Sequence, residues 1–209
     1  MNGRFIIVPQ TDDISFEELA DILHDAHRST SEKGLHFVAS TQNACETKQR
    51  LGKNVFFLVA LDTQTNARVG CIAIVPDYNL RYWFNKGRSC YIAMLGVRNA
   101  YKGRGIGSLL WNAAEKYSFE MSDILIMDTA VNNNIVIDDR TRNGWKIVRY
   151  HSSCKTNYYS VMLAKWRENC PYPNLYINIM RKLSFCLNHI FKRKDGSIRF
   201  PFRTLRGFW

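Results

Sequence analysis

Apolar and polar positions change period repeatedly along the chain, and each change marks an element. Arg4–Pro9 reads as a strand. From Asp13 to Arg28, Phe16, Leu19, Ala20, Leu23 and Ala26 recur at helical spacing. Ser15 is placed to cap that helix, with Glu18 completing a capping box. Residues 29–40 carry no period, and Thr41–Leu51 reads as a second helix. Asn54–Asp62 and Val69–Pro76 are apolar runs joined by a polar Thr-Gln-Thr-Asn turn, which is a hairpin signal. After a loop over Leu80–Arg88, Ser89–Val97 is again a strand. It leads into a glycine-dense turn and a helix through Tyr117, with Ile106, Leu109, Leu110, Ala113 and Ala114/Tyr117 as its core face. Ile124–Ala130 reads as a strand, Asn134–Arg142 as a short helix, and Trp145–Tyr150 with Tyr158–Leu163 as a closing strand pair. The order β, αα, βββ, α, β, α, ββ predicts a mixed α/β (α+β) domain with much of its sheet antiparallel.

Composition narrows the class. With 209 residues, 46% of them apolar and 13% aromatic, the chain has material for a packed core and is not a disordered polycation. No apolar run approaches the roughly 18–20 residues of a bilayer-spanning helix. Phe5–Val8 is short and is followed by Asp12 and Asp13, so no secretory leader is expected. The net charge of +11 is unevenly placed: residues 167–209 hold nine Lys and Arg against two acids. The chain therefore divides into a nearly balanced domain, 1–166, and a basic amphipathic extension, 167–209. Six cysteines without a C-x-x-C pair point to free thiols and a cytoplasmic setting. His24 and His27 fall three apart on a helix without a third partner, and no metal site is expected.

The informative stretch is Leu95-Gly-Val-Arg-Asn-Ala-Tyr-Lys-Gly-Arg-Gly-Ile-Gly-Ser108, where a strand enters a glycine turn that opens a helix. Glycines permit positive φ, and the unpaired N–H groups of a helix start attract anions, phosphate above all. Lys102 and Arg104 add charge there. The P-loop string G-x-x-x-x-G-K-[ST] is absent. A dinucleotide fingerprint starting at Gly103 places Ser108 where the third glycine belongs, although Asp123 and Asp128 sit near the offset of a ribose-binding acid. A glycine-rich helix entry without ligand is the plain alternative.

Leu95-x-Val97-x-x-x-Tyr101-Lys102-Gly103-Arg104-Gly105-Ile106-Gly107-x-Leu109-Leu110 closely resembles the acetyl-CoA-binding motif of GNAT-type N-acetyltransferases, [QR]-x-x-G-x-[GA], with Lys102 in the first position and Gly105 and Gly107 matching. Met127-Asp128-Thr129-x-x-x-Asn133-x-x-Val136-Ile137 looks like that family's fifth strand and its Asn-x-x-Ala-Ile segment. The resemblance covers about residues 4–165. It implies a mostly antiparallel sheet flanked by helices and splayed between strands four and five. It also implies transfer of an acetyl group from acetyl-CoA directly to a primary amine. The implied acetyl-CoA contacts are Leu95, Gly96, Val97, Lys102, Gly103, Arg104, Gly105, Ile106, Gly107, Ser108 and Asn133, with Leu95 and Val97 offering backbone groups to the pantetheine as a further strand would. One departure stands out. Where many members carry Tyr four residues before a Gly-Phe pair, this chain has Arg140 before Gly144-Trp145. The proton for the leaving thiolate then falls to water, Arg140, Tyr150 or Tyr158.

Amine acylation needs a base. Asp128 and Tyr91 are the candidates, with His151 behind them; catalysis by positioning alone is the alternative. A catalytically impaired acyl-CoA-binding module on the same scaffold is the competing function. In the extension, Leu175, Ile179, Leu183, Cys186, Leu187 and Ile190 form an apolar face beside Arg181, Lys182 and Lys192–Lys194, and Arg199–Arg203 and Arg206–Trp209 mix bases with aromatics. It reads either as a helix docked on the domain or as a membrane-peripheral contact through 174–209. Single-stranded nucleic acid is the least favoured partner. The acceptor expected is a small amine or amino sugar.

Overall fold

The structure, a computed structural model, describes residues 3–32, 37–50, 55–78, 88–152, 156, 158–170 and 174–191. The loop read over Leu80–Gly87 and the basic, aromatic end beyond Phe191 lie outside the described residues, as do His36 and Cys154. The described residues fall into two compact units, one drawn from 1–79 and 88–122, the other from 123–209.

In the first unit, β1 (Phe5–Pro9), β2 (Phe56–Asp62), β3 (Ala67–Val75) and β4 (Ser89–Val97) pair antiparallel in that order. They carry α1 (Phe16–Glu32), α2 (Ala44–Arg50) and α3 (Ile106–Met121). Leu19, Ile22 and Leu23 of α1 bury against Phe57, Val59, Cys71, Ala73 and Met94 of the strands. Most of these elements agree with the periodicity. α1 starts at Phe16 and runs to Glu32, beyond the expected Arg28. Its capping box forms by half: Glu18 N–H donates to Ser15 Oγ at 3.2 Å, but the Glu18 carboxylate accepts from Arg68 Nη1 at 3.0 Å. The complete box opens α2, where Asn43 N–H donates to Glu46 Oε2 at 2.9 Å and Glu46 N–H to Asn43 Oδ1 at 2.8 Å.

The core face of α3 differs from the one expected. Ile106, Leu110, Trp111, Ala114 and Ser118 are buried, Leu109 and Ala113 are half-buried, and Tyr117 is exposed. The helix rests on β2, β3 and β4 together. That contact selects the single stripe 106-110-114-118, with Trp111 beside it.

Helix α1 approaches β4 closely at Gly96. A Cβ built there would lie 3.0 Å from Leu23 Cδ2 and 3.1 Å from Ala26 Cβ. Gly96→Val is expected to lower stability by about 1–3 kcal/mol, because α1 must lift from the sheet. Urea denaturation checks this, and a midpoint equal to that of the parent chain would refute it.

In the second unit, β5 (Ile124–Ala130), β7 (Tyr159–Trp166) and β6 (Lys146–Ser152) pair antiparallel with β7 in the centre. α4 (Asn134–Arg142) ends in a Schellman turn. Gly144, at φ 85°, donates to Thr141 O at 3.2 Å, and Trp145 N–H donates to Arg140 O at 3.1 Å. This gives the Gly-Trp pair a structural reason, since Trp145 enters the core directly after a left-handed glycine.

α5 (Asn174–Phe191) lies along β6. Tyr150 N–H donates to Ser184 Oγ at 3.1 Å, and Asn188 Nδ2 donates to Tyr150 O at 3.0 Å. The docked face is therefore Ile177, Ser184 and Asn188. Of the apolar face read from the sequence, Leu187 is half-buried, while Cys186 and Leu175, Ile179, Leu183 and Ile190, at 77%, 53%, 47% and 57% exposed, point outward. The edge of β6 decides this orientation. Backbone groups on a lateral strand edge need polar partners, and Ser184 and Asn188, one helical turn apart, supply them.

Candidate functional site

At the end of β4 the ladder slips. Cys71 pairs with Gly96 and Ala73 with Ala93, so β4 places Met94 and Leu95 opposite the single residue Ile72. Met94 takes φ 52°, a left-handed value for a residue with a side chain. Beyond the bulge, Arg98 N–H donates to Val69 O at 2.8 Å. By alternation Gly96 faces β3, and the backbone groups of Leu95 and Val97 turn away from it.

Asp13, just before α1, and acidic residues on one side of α1 hold this end of the sheet. Arg68 bridges Asp13 and Glu18, Arg98 Nη2 meets Asp21 Oδ2 at 2.8 Å, and Asn99 N–H donates to Asp25 Oδ2 at 2.7 Å. Lys102 Nζ donates to Ala26 O at 2.5 Å. Arg104 lies over the Tyr101 ring at 5.1 Å and donates to Ala100 O at 3.2 Å. Both cations expected in the loop are thus seated on protein groups, and the loop itself offers a backbone surface.

That surface is built by Gly103 at φ 77° and Gly105 at φ 79°, where an added Cβ would meet nothing within 4 Å. The first intrahelical bond of α3 runs from Leu109 N–H to Gly105 O at 3.0 Å, which leaves the N–H groups of Ile106, Gly107 and Ser108 at the helix start. Left-handed glycines beside helix-start amides make a backbone nest, an arrangement that in general can take an anion.

His27 joins α1 to this region. Its ring stacks on Phe37 at 5.3 Å, and its side chain hydrogen-bonds the backbone of Leu95. Burial, reinforced by the charge of Lys102, pushes its pKa from 6.5 down to about 4. Folded His27 stays neutral where the unfolded chain would take a proton. Stability is therefore expected to fall as pH drops from about 6.5 to about 4, by up to about 3 kcal/mol. Thermal melting of the parent chain and His27→Gln across that range checks this, the variant giving the flatter profile. His24 Nε2 donates to Gln42 O at 2.8 Å. Among the described residues no group of three or more metal-ligating side chains occurs.

In the second unit, Asp128 of β5 and His151 of β6 meet across β7, with Oδ2 and Nε2 3.4 Å apart and both side chains about three-quarters buried. The Nε2 atom itself is buried and has no hydrogen bond of good geometry. Asn133, before α4, donates through Nδ2 to Thr129 Oγ1 at 2.9 Å. Arg140 pairs with Asp139, and its side chain is only 12% exposed. Tyr150 packs on Phe185 and Tyr159, and Tyr158 is buried. In the first unit, Tyr91 is half-buried and stacks on Tyr78 at 4.6 Å.

The model of the acetyltransferase (GNAT) family matches residues 16–139. The chain belongs to the GNAT acetyltransferase family. No curated protein sequence matches it. Among solved structures, Arabidopsis thaliana NAA60 in complex with a bisubstrate analogue is similar at 18% identity and TM-score 0.58, over 78% of this chain and 99% of that one. A GNAT acetyltransferase from Elizabethkingia anophelis with acetyl-CoA bound is similar at 14% identity and TM-score 0.54, over 79% and 100%. A histone acetyltransferase HPA2-related protein from Corynebacterium glutamicum gives 15% identity and TM-score 0.59, over 80% and 98%. At these identities the likeness is one of fold: the mixed α/β, mostly antiparallel GNAT architecture.

The structure brings the glycine-loop residues together in one unit around the start of α3. It also sets beside Asp128 a histidine that sequence reasoning ranked last. No local signal announced that pair, since 22 residues separate the two on strands with β7 between them. The bulge at Met94 had no sequence signal either.

Proposed function

We propose that this GNAT protein transfers an acetyl group from acetyl-CoA directly to a primary amine of a small molecule or amino sugar. The observation that supports the reading is the nest of Gly103, Gly105 and the first amides of α3, which would take the CoA diphosphate on backbone groups while Lys102 is bound to Ala26 O. Acetyl-CoA supplies the activated thioester. The amine nitrogen forms a bond to the acetyl carbon, the carbon–sulfur bond breaks, and CoA leaves as thiolate to be protonated from water. Leu95 and Val97 would offer backbone groups to the pantetheine; Asn133 is assigned to the CoA arm by the family resemblance alone. By the resemblance of its strand to the family's fifth strand, Asp128 is the proposed proton acceptor, with His151, 3.4 Å from its carboxylate in the same unit, as the positioning residue. A cytoplasmic setting is proposed from the cysteine pattern alone.

Thiol release from acetyl-CoA across amino sugars, polyamines, amino acids and peptides tests the reading, and release with at least one amine is the expected result. Arg140, seated on Asp139 in place of a phenol, favours a second reading in which the scaffold binds acyl-CoA without transfer. Calorimetric binding of acetyl-CoA without thiol release from any amine would select that reading.

A further inference from the structure

We propose that α5 is an interfacial helix that lies on an anionic lipid surface. The helix is docked through a mixed side, Ile177, Ser184 and Asn188, and displays an apolar stripe. Ile177 and Asn188 are buried and Ser184 holds Tyr150 of β6, while Leu175, Ile179, Leu183, Cys186 and Ile190 form one exposed stripe along the outer face. A helix that merely closed a core would bury that stripe. Here the hydrogen bonds to β6 fix the opposite orientation and keep the stripe outward on a helix that is already folded.

Charge identifies the occupant. α5 contains no Asp or Glu, and Lys182 is exposed beside the stripe. Residues 192–209 add six Lys and Arg against one Asp, with Phe200, Phe202, Phe208 and Trp209 among them. A second copy on this face would set base against base. Lipid phosphates neutralise the bases while the acyl boundary takes the apolar side chains. No helix among the described residues is long and apolar enough to cross a membrane.

Flotation of the full chain with phosphatidylcholine vesicles, with and without phosphatidylserine, tests this. Binding is expected only with phosphatidylserine and is expected to weaken as salt rises. Ile179→Asp with Leu183→Asp should reduce it about a hundredfold or more, and Lys182→Ala about fivefold. Both variants should keep the parent melting temperature and acetyl-CoA affinity, since the altered side chains are exposed and outside the glycine loop. Failure to float with phosphatidylserine, or equal flotation of the double-Asp variant, would overturn the proposal. So would sedimentation showing a dimer that this variant dissolves, because the stripe would then belong to a second copy.

Discussion

Gly105→Glu is expected to raise the Kd for acetyl-CoA at least about a hundredfold, while Gly105→Asn stays within about fivefold of the parent chain. Gly105 sits at φ 79° directly before α3, and a side chain there meets no protein atom within 4 Å. The substitution therefore acts through the backbone and the ligand, not through a clash in the protein. A side-chain residue held left-handed costs roughly 1–2 kcal/mol. Relief of that strain turns the amides of Ile106 and Gly107 out of the nest, and each lost bond to a charged group is worth about 1.5–3 kcal/mol. A carboxylate adds repulsion to the diphosphate. Asparagine tolerates the left-handed region, so its near-parent affinity separates backbone geometry from mere bulk. Calorimetric titration measures both variants. Parent-like affinity of the glutamate variant would remove the loop from the site.

Asp128→Asn is expected to lower kcat for amine acetylation by about 10²–10³-fold, with acetyl-CoA affinity and melting temperature close to the parent values. The substitution keeps size and hydrogen-bonding reach but removes the proton acceptor. His151→Gln should cost less, about tenfold, and should also displace the acidic limb of the pH–rate profile, because His151 acts through the carboxylate it faces at 3.4 Å. A purely structural role for His151 would lower stability and leave the profile in place. Equal rates for Asp128→Asn and the parent chain would reassign the base.

The loop was legible because its chemistry is local. Gly103, Gly105 and Gly107 follow a strand and precede a periodic helix within a few residues, so sequence order and spatial order coincide. The elements were legible for the same reason: β4, β5 and α4 have the bounds their apolar patterns predicted. The capping box at α2 was also readable, since Asn43 and Glu46 stand at the required spacing, but the expected helix start at Thr41 hid it.

Long-range geometry was not legible. The facing of α3 depends on which strands it lies against, and that contact exchanged Leu109 and Tyr117 for Trp111 and Ser118. The partnership of Asp128 with His151 depends on the register of β5, β7 and β6. For α5 the sequence by itself determined an amphipathic helix with one apolar stripe and a basic surround. Only the tertiary structure decided that the stripe faces outward, because the edge of β6 needs hydrogen bonds that Ser184 and Asn188 make and Leu175, Ile179, Leu183 and Ile190 cannot.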